Sequence, residues 1–266
     1  MWAPIDERAQ AMLAADLSEI DQLWRRLDIA VLTPPDAGSV ASAELADRMR
    51  AYAYDQASTA MRAALDHVRA WRTLLIAGEM PAYAHLSLLR TGHEAALLAY
   101  WLTEPTIDAD TRLARGVAAQ AADYEERRRF EEAIGLTVAT PPGKLASDRL
   151  SDLMAAARGL GLARRNRKDA EILTVSVPAT VEFFDLYESV GPRAKAQCLY
   201  RLYSGYAHAK QWALMQGAQQ QAPFDSSGRT VALTQGSDLI AVAATRRTIA
   251  AVHRALAAFE GLRTAN

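Results

Sequence analysis

Apolar residues recur at helical spacing along most of the chain, and proline, glycine and small polar residues mark where these segments end. The spacing predicts helices over 6–32, 42–77, 81–103, 108–134, 147–159, 178–188 and 237–262. A further helix is predicted to begin after "GPRAK" and to carry "YRLYSGYAHAKQW", residues 200–212. Asp108 precedes a helical segment as a capping residue does.

Two segments depart from the helical pattern. "EILTVSV" predicts either a short strand or an extended connection, and turn residues between apolar ends predict a small β-hairpin near 223–234. No internal repeat is visible. The pattern as a whole predicts an all-α fold, a single multi-helix bundle in which residues 1–266 form one domain.

Composition narrows the classes of partner. The formal net charge is -1, so any nucleic-acid binding requires a local basic patch rather than a global field. Cys198 is the only cysteine, which excludes an intrachain disulfide and a cysteine-based metal cluster. The histidines do not follow zinc-protease or di-iron spacing, and no phosphate-binding glycine loop is present, so no metal and no cofactor are expected.

Apolar runs are short. None approaches the roughly 18 residues that cross a bilayer, and the first residues do not resemble a signal peptide. We therefore expect a cytoplasmic protein with no membrane partner.

The predicted helix over 81–103 is apolar on nearly every side, which is typical of a central helix. Arg90 and Glu94 are its only formally charged residues. With His93 they project into one sector, because a helix advances about 100° per residue. Since an unpaired buried charge is costly, this sector is interpreted either as an ion pair that ties the bundle together or as the floor of a polar pocket.

The segment "RLYSGYAH" places Arg201, Ser204 and His208 on one helical stripe. The commonest meaning of such a stripe is a solvated face. Gly205 and Trp212 favour close packing instead, because a mid-helix glycine is costly and a large ring on a wet face is wasted. An arginine can hold a phosphate and a histidine can exchange protons near neutral pH, so the pair fits metal-free phosphodiester cleavage by a ribose 2′-hydroxyl.

This segment resembles the arginine–histidine motif of the HEPN superfamily, in which four to six residues separate the two. Members are helical bundles, many of them metal-independent ribonucleases of toxin–antitoxin, CRISPR and antiphage systems. The resemblance implies Arg201 and His208 as catalytic residues, a homodimer that joins two motifs, and RNA and an antitoxin as partners. It also implies an acidic support from an earlier helix, for which Glu94 is the candidate, with Arg90 and His93 beside it.

The match covers about eight residues firmly, and Leu202 stands where the family commonly has a polar residue. Ser204 is the candidate to replace that contact. The helical pattern also resembles uncharacterised helical proteins of high-GC bacteria, which implies no activity. The alternative is therefore a non-catalytic helical protein that uses the same residues structurally and binds a protein partner or a small ligand.

One dense basic segment, "ARRNRKD", is predicted to be a loop. It is interpreted either as a solvated loop or as a contact for RNA or phosphate. The residues concerned are Arg164, Arg165, Arg167 and Lys168.

Overall fold

A computed structural model describes residues 6–78, 84–136, 143–188, 197–210, 212–214 and 237–265 of the chain. Helices dominate the described residues, and one two-stranded sheet accompanies them. The elements in chain order are α1 Glu7–Leu17, α2 Ile20–Leu32, α3 Val40–Glu44, α4 Arg48–Ile76, α5 Ala84–Thr103, α6 Ala109–Ala133, α7 Ala146–Gly159, β1 Ala163–Arg165, β2 Glu171–Leu173, α8 Thr180–Tyr187, α9 Gln197–Ala207 and α10 Asp238–Arg263. The predicted all-α fold class is confirmed.

Local signals set several helix ends. Asp108 caps α6 by accepting a hydrogen bond from the Thr111 backbone N–H at 2.7 Å, as predicted. The single helix predicted over 6–32 is wrong, because α1 ends at Leu17 and α2 begins at Ile20. At this break the Ser18 hydroxyl and backbone N–H both donate to the Ala15 carbonyl, at 2.7 and 3.2 Å, which closes the last turn of α1.

The helix predicted over 42–77 is also divided. The Asp47 carboxylate accepts from the Met49 backbone N–H at 2.7 Å, so a new helix, α4, starts there after the short α3. Asp47, which was predicted to lie inside one long helix, instead caps the start of α4.

The segment predicted to be a basic loop is a β-hairpin. Arg164 pairs with Ile172 and Arg165 with Glu171 in an antiparallel ladder. "EILTVSV" contributes its strand β2, which confirms the strand alternative for that segment. The hairpin predicted near 223–234 lies outside the described residues.

The chain divides into two compact units. Unit 1 comprises residues 1–33, 59–101 and 179–258, and unit 2 comprises 34–58, 102–178 and 259–266. The expectation of a single domain stays a prediction.

The core of unit 1 includes the fully buried Trp71, whose indole Nε1 donates to the Thr245 hydroxyl at 2.9 Å. The close approach of α5 to its neighbours depends on Gly92, where an added Cβ would lie 3.2 Å from the Ala64 carbonyl oxygen. The sequence predicted a central, buried position for α5, and this close packing agrees with that prediction.

Unit 2 is built on a smaller core of Leu113, Val117, Leu153 and Ala157 from α6 and α7. A buried ion pair accompanies it, in which Arg112 Nη1 lies 2.8 Å from Glu44 Oε1. Among the described residues, no helix combines the length and the apolar character that crossing a bilayer requires.

Candidate functional site

The charged pair of α5 is formed within the helix. Arg90 Nε donates to Glu94 Oε1 at 2.6 Å, and both side chains are largely but not completely buried. The Arg90 guanidinium also lies over the ring of Tyr200 on α9, 5.4 Å from its centroid. The structure therefore joins two of the predicted supporting residues to the helix that carries the Arg–His motif.

His93, the third residue of this sector, is completely buried. Its ring packs against Phe184 of α8 and Tyr203 of α9, with centroids 4.9 and 6.1 Å apart. Its Nε2 atom lies 3.2 Å from Glu188 Oε1, a close polar contact rather than an aligned hydrogen bond. His93 is thus placed inside the helical packing of unit 1 rather than at an open surface.

Two arginine side chains lie beside the buried carboxylate of Glu188, the residue that caps the C-terminal end of α8. Arg254 Nη2 lies 3.0 Å from Oε1, and Arg247 Nη1 lies 3.3 Å from Oε2. Burial by itself raises the pKa of Glu188, but His93 and Arg254 outweigh burial and hold the pKa below its ordinary value. The carboxylate is therefore ionised at neutral pH.

Arg254 is held in one position by several neighbours. It donates to the Tyr187 carbonyl at 2.8 Å, and its guanidinium lies over the rings of Tyr100 and Tyr187, 5.0 and 6.0 Å from their centroids. The two rings meet edge to face, with centroids 5.0 Å apart. Aromatic and carboxylate contacts together fix this guanidinium.

A groove with a volume of about 560 Å³ runs beside this network in unit 1. Its polar rim includes Arg246, which pairs with Asp16 at 2.7 Å, together with Arg247 and Arg254. Apolar residues form the remaining walls, among them Met12, Leu239, Val242, Ala243, Ala250 and Ala251. The groove combines positive charge with apolar surface.

Sequence reasoning missed the Glu188 network. Arg247 and Arg254 are seven residues apart and so share one face of α10, which is the only local signal for them. Glu188 is separated from both by about sixty residues, and no periodic pattern links it to them.

The Arg–His motif lies at the exposed end of α9. Arg201 is exposed, and its Nε and Nη2 atoms donate to the neutral side-chain oxygen of Gln197 at 3.3 and 3.2 Å. Ser204 is half-buried and His208 is exposed. Within the described residues, no hydrogen bond, ion pair or ring contact joins the side chains of Arg201, Ser204 or His208 to one another or to Glu94.

His208 is the residue at which α9 stops. The Ala209 N–H donates to the Tyr206 carbonyl at 3.1 Å and the Lys210 N–H to the Gly205 carbonyl at 2.7 Å, the two bonds of a Schellman motif. Ala209 occupies the left-handed position of that motif with φ 50°. The expectation that the helix continues to Trp212 is therefore wrong.

The close packing of Trp212 and Ala213 against α9 requires a residue without a side chain at position 205. A Cβ added there would lie 2.5 Å from the Ala213 Cβ and 3.0 Å from Cζ2 of Trp212. The prediction that something packs closely on Gly205 is confirmed, and Trp212 is the ring that covers it.

The basic hairpin lies in unit 2, where its four cationic side chains are all exposed. Arg165 pairs with Asp169 at 2.7 Å. For Arg164, Arg167 and Lys168, no ion pair is found with any residue that the structure describes. Three cations of the hairpin are thus available to an anionic partner.

Within the described ranges, no three histidine, cysteine, aspartate or glutamate side chains cluster as the ligands of a metal ion would. Comparisons with protein-family models, with curated proteins and with solved structures found no match to this chain.

Proposed function

We propose that this protein is a metal-independent ribonuclease in which Arg201 binds the scissile phosphate and His208 transfers a proton. One observation carries the proposal. The exposed Arg201 guanidinium is hydrogen-bonded to the neutral Gln197 amide rather than to a carboxylate, on the same helix that ends at the exposed His208 imidazole. An arginine in this state keeps its full charge for a phosphate.

The chemistry follows from these two groups. The imidazole of His208 accepts the proton of the ribose 2′-hydroxyl, whose oxygen attacks the neighbouring phosphorus. The bond from phosphorus to the 5′-oxygen breaks, and that oxygen takes a proton from an imidazolium. Arg201 stabilises the negative charge that gathers on the phosphate oxygens. The products are a 2′,3′-cyclic phosphate and a 5′-hydroxyl.

A homodimer is part of the proposal. The Cα atoms of Arg201 and His208 are about 10 Å apart along the helix, because each residue adds about 1.5 Å. Arg201 also points toward Gln197, away from His208. Two copies that meet at the ends of α9 would bring an arginine and two imidazoles to one phosphate.

The supporting residues have positioning roles in this proposal. Arg90 and Glu94 hold each other and Arg90 contacts Tyr200, so the pair orients the first turn of α9. His93 packs beneath the same helix against Tyr203. Ser204 is one turn from His208 and takes the place of the polar contact that Leu202 does not supply.

The test is cleavage of a single-stranded RNA in the presence of EDTA. We expect His208→Ala and Arg201→Ala each to lower the cleavage rate by roughly 10²- to 10⁴-fold. His253→Ala is the matched control, because His253 is a partly exposed histidine of unit 1 that contacts Glu19. Retained cleavage in His208→Ala, or no cleavage by the wild-type dimer, would contradict the proposal.

A role as a toxin with an antitoxin partner is tested in cells. Expression of the wild-type chain should arrest growth, and His208→Ala should relieve the arrest at equal protein level. A co-purifying protein partner that abolishes RNA cleavage in vitro would be the antitoxin. Growth arrest that persists in His208→Ala would exclude ribonuclease activity as its cause.

A second candidate function is non-catalytic binding of a small amphiphilic anion in the groove of unit 1. It is favoured by the buried Glu188 carboxylate, which holds Arg247 and Arg254 beside apolar walls. Octanoate should then raise the melting temperature more than octanol does, and Arg247→Met should remove the difference. Arg62→Met, which alters a pair with Asp28, is the control.

A further inference from the structure

A second groove, with a volume of about 430 Å³, lies entirely within unit 2. It is formed by residues 48–52 at the start of α4, Tyr124 of α6, Lys144, and residues 149–156 of α7. Its lining consists of Arg48, Met49, Tyr52, Tyr124, Lys144, Arg149, Asp152, Leu153 and Ala156. Three cations and two tyrosines therefore face one cavity with a single acid.

Arg48 and Arg149 differ from most other arginines of unit 2. Elsewhere in the unit, eight arginines each contact a carboxylate: Arg50, Arg112, Arg115, Arg127, Arg128, Arg129, Arg158 and Arg165. Lys144 likewise pairs with Asp152 at 2.6 Å. Arg48 and Arg149, however, form no ion pair with any described residue.

Arg149 is held in place without a salt bridge to any described residue, although its charge also acts on the Glu131 carboxylate. Its Nε donates to the backbone carbonyl of Lys144 at 3.2 Å, and the side chain is half-buried. Arg48 is exposed at the mouth of the groove. Two guanidinium groups that make no salt bridge with any described carboxylate thus line one cavity, and paired guanidinium groups bind a phosphate by several hydrogen bonds.

The tyrosines supply a flat apolar wall. Tyr52 and Tyr124 are half-buried and pack against the core formed by Leu113, Val117, Leu153 and Ala157. Burial and the neighbouring Tyr124 raise the pKa of Tyr52, with Arg48 opposing them, so its hydroxyl stays protonated and can donate a hydrogen bond. Rings fixed from behind in this way present edges and faces to an aromatic ligand at little entropic cost.

We propose that this groove binds a nucleotide, with the base against Tyr52 and Tyr124 and the phosphate on Arg48 and Arg149. A volume of about 430 Å³ lies in the range of small-molecule sites. A simple carboxylate would use the guanidinium groups but not the tyrosine wall, whereas a nucleotide uses both. The inference does not depend on the chemistry proposed for Arg201 and His208.

A base and a phosphate in this groove can belong to a free nucleotide or to one nucleotide of a single-stranded RNA. Three probes distinguish them: inorganic phosphate, adenosine 5′-monophosphate, and a 2′-O-methylated hexaribonucleotide that cannot be cleaved by its own 2′-oxygen. Binding of the mononucleotide indicates a free ligand, and binding of the hexanucleotide alone indicates an RNA contact. Binding of neither, or of phosphate as tightly as the mononucleotide, would overturn the proposal.

Substitutions of the arginines test the phosphate contacts, and substitutions of Tyr52 test the contact with the base. Arg48→Met and Arg149→Met should each weaken binding about tenfold and flatten its salt dependence, while Arg50→Met, which removes a paired arginine of the same helix, should not. Tyr52→Leu should weaken binding about tenfold and Tyr52→Phe much less, because the ring is retained. Equal effects of Arg50→Met and Arg48→Met would show that the groove is not the site.

Mononucleotide binding and RNA cleavage by the wild-type protein, measured separately, distinguish this proposal from the ribonuclease proposal. Loss of mononucleotide binding in Arg48→Met and Arg149→Met locates the nucleotide site in unit 2, whereas Arg201 and His208 belong to unit 1. Failure of RNA cleavage with intact nucleotide binding would reject the ribonuclease and keep the nucleotide site.

Discussion

Glu188 Oε1 lies 3.2 Å from Nε2 of the completely buried His93, and the same carboxylate contacts two arginines of α10. One anionic side chain at the end of α8 therefore links α5 to α10 within unit 1. The charge of Glu188 is retained in a largely apolar setting because His93 and Arg254 favour the ionised carboxylate.

Removal of that charge should be costly. Glu188→Gln leaves two arginines beside a neutral amide, and we expect the free energy of unfolding to fall by about 3 kcal/mol. Urea unfolding measures the change. Glu19→Gln alters a half-exposed carboxylate near His253 and should change stability by less than about 1 kcal/mol. Equal effects of the two substitutions would show that Glu188 does not hold these helices together.

The pH dependence of stability has a defined sign at Glu188. Its pKa is lower in the folded protein than the ordinary value of 4.5, so the unfolded chain binds the proton more readily. The stabilisation is therefore present above pH 4.5 and is lost as the pH falls through the folded-state pKa. Thermal unfolding of wild type and Glu188→Gln between about pH 3 and 7 should show curves that converge toward acid pH. A constant difference over that range would refute the assignment.

Ala209 offers a stabilising substitution at the end of α9. Its φ of 50° lies in the left-handed region, which glycine adopts without steric cost. Ala209→Gly should raise the free energy of unfolding by about 1 kcal/mol. Ala207→Gly, two residues earlier and still helical, should instead lower it by about 0.5–1 kcal/mol. The Schellman geometry would be wrong if both substitutions shifted stability in the same direction.

Arg164, Arg167 and Lys168 of the β1–β2 hairpin make no ion pair with a described residue, and this predicts a salt-dependent contribution to RNA affinity. Substitution of Arg164, Arg167 and Lys168 by glutamine should reduce the slope of log affinity against log salt by up to about 0.7 for each phosphate that is no longer neutralised. Glutamine at Arg165 should have less effect, because Asp169 already neutralises this side chain. Titration of a labelled single-stranded RNA at several salt concentrations measures the slopes. An unchanged slope in the triple variant would remove the hairpin from the RNA-binding surface.

Much of the helical structure was predictable because it depends on neighbouring residues. Asp108 marks the start of α6 by a cap that spans three residues, and the apolar character of α5 indicates its central position. The break between α1 and α2 was missed because Ser18 ends a helix through a bond to Ala15, with no proline or glycine to signal it. The basic loop was misassigned because arginines in an exposed strand resemble a solvated loop in sequence.

The candidate site was predictable only in part. Arg90 and Glu94 form the expected pair, since they are one helical turn apart. Tyr200 was not expected to receive the Arg90 guanidinium, because that contact joins residues more than a hundred positions apart. The end of α9 at His208 was missed for a different reason. Ala209 occupies the left-handed position, where a glycine would have indicated a Schellman motif in the sequence.

By itself the amino-acid sequence determined the helical character of the chain and the ion pair within α5, because periodicity, caps and spacings of three or four residues act within one or two turns. Only the tertiary structure decided that Glu188 meets His93, Arg247 and Arg254, and that Arg48 and Arg149 make no salt bridge with any described residue. The position of a charge relative to distant charges depends on how helices pack, and packing is set by the whole core rather than by any local pattern.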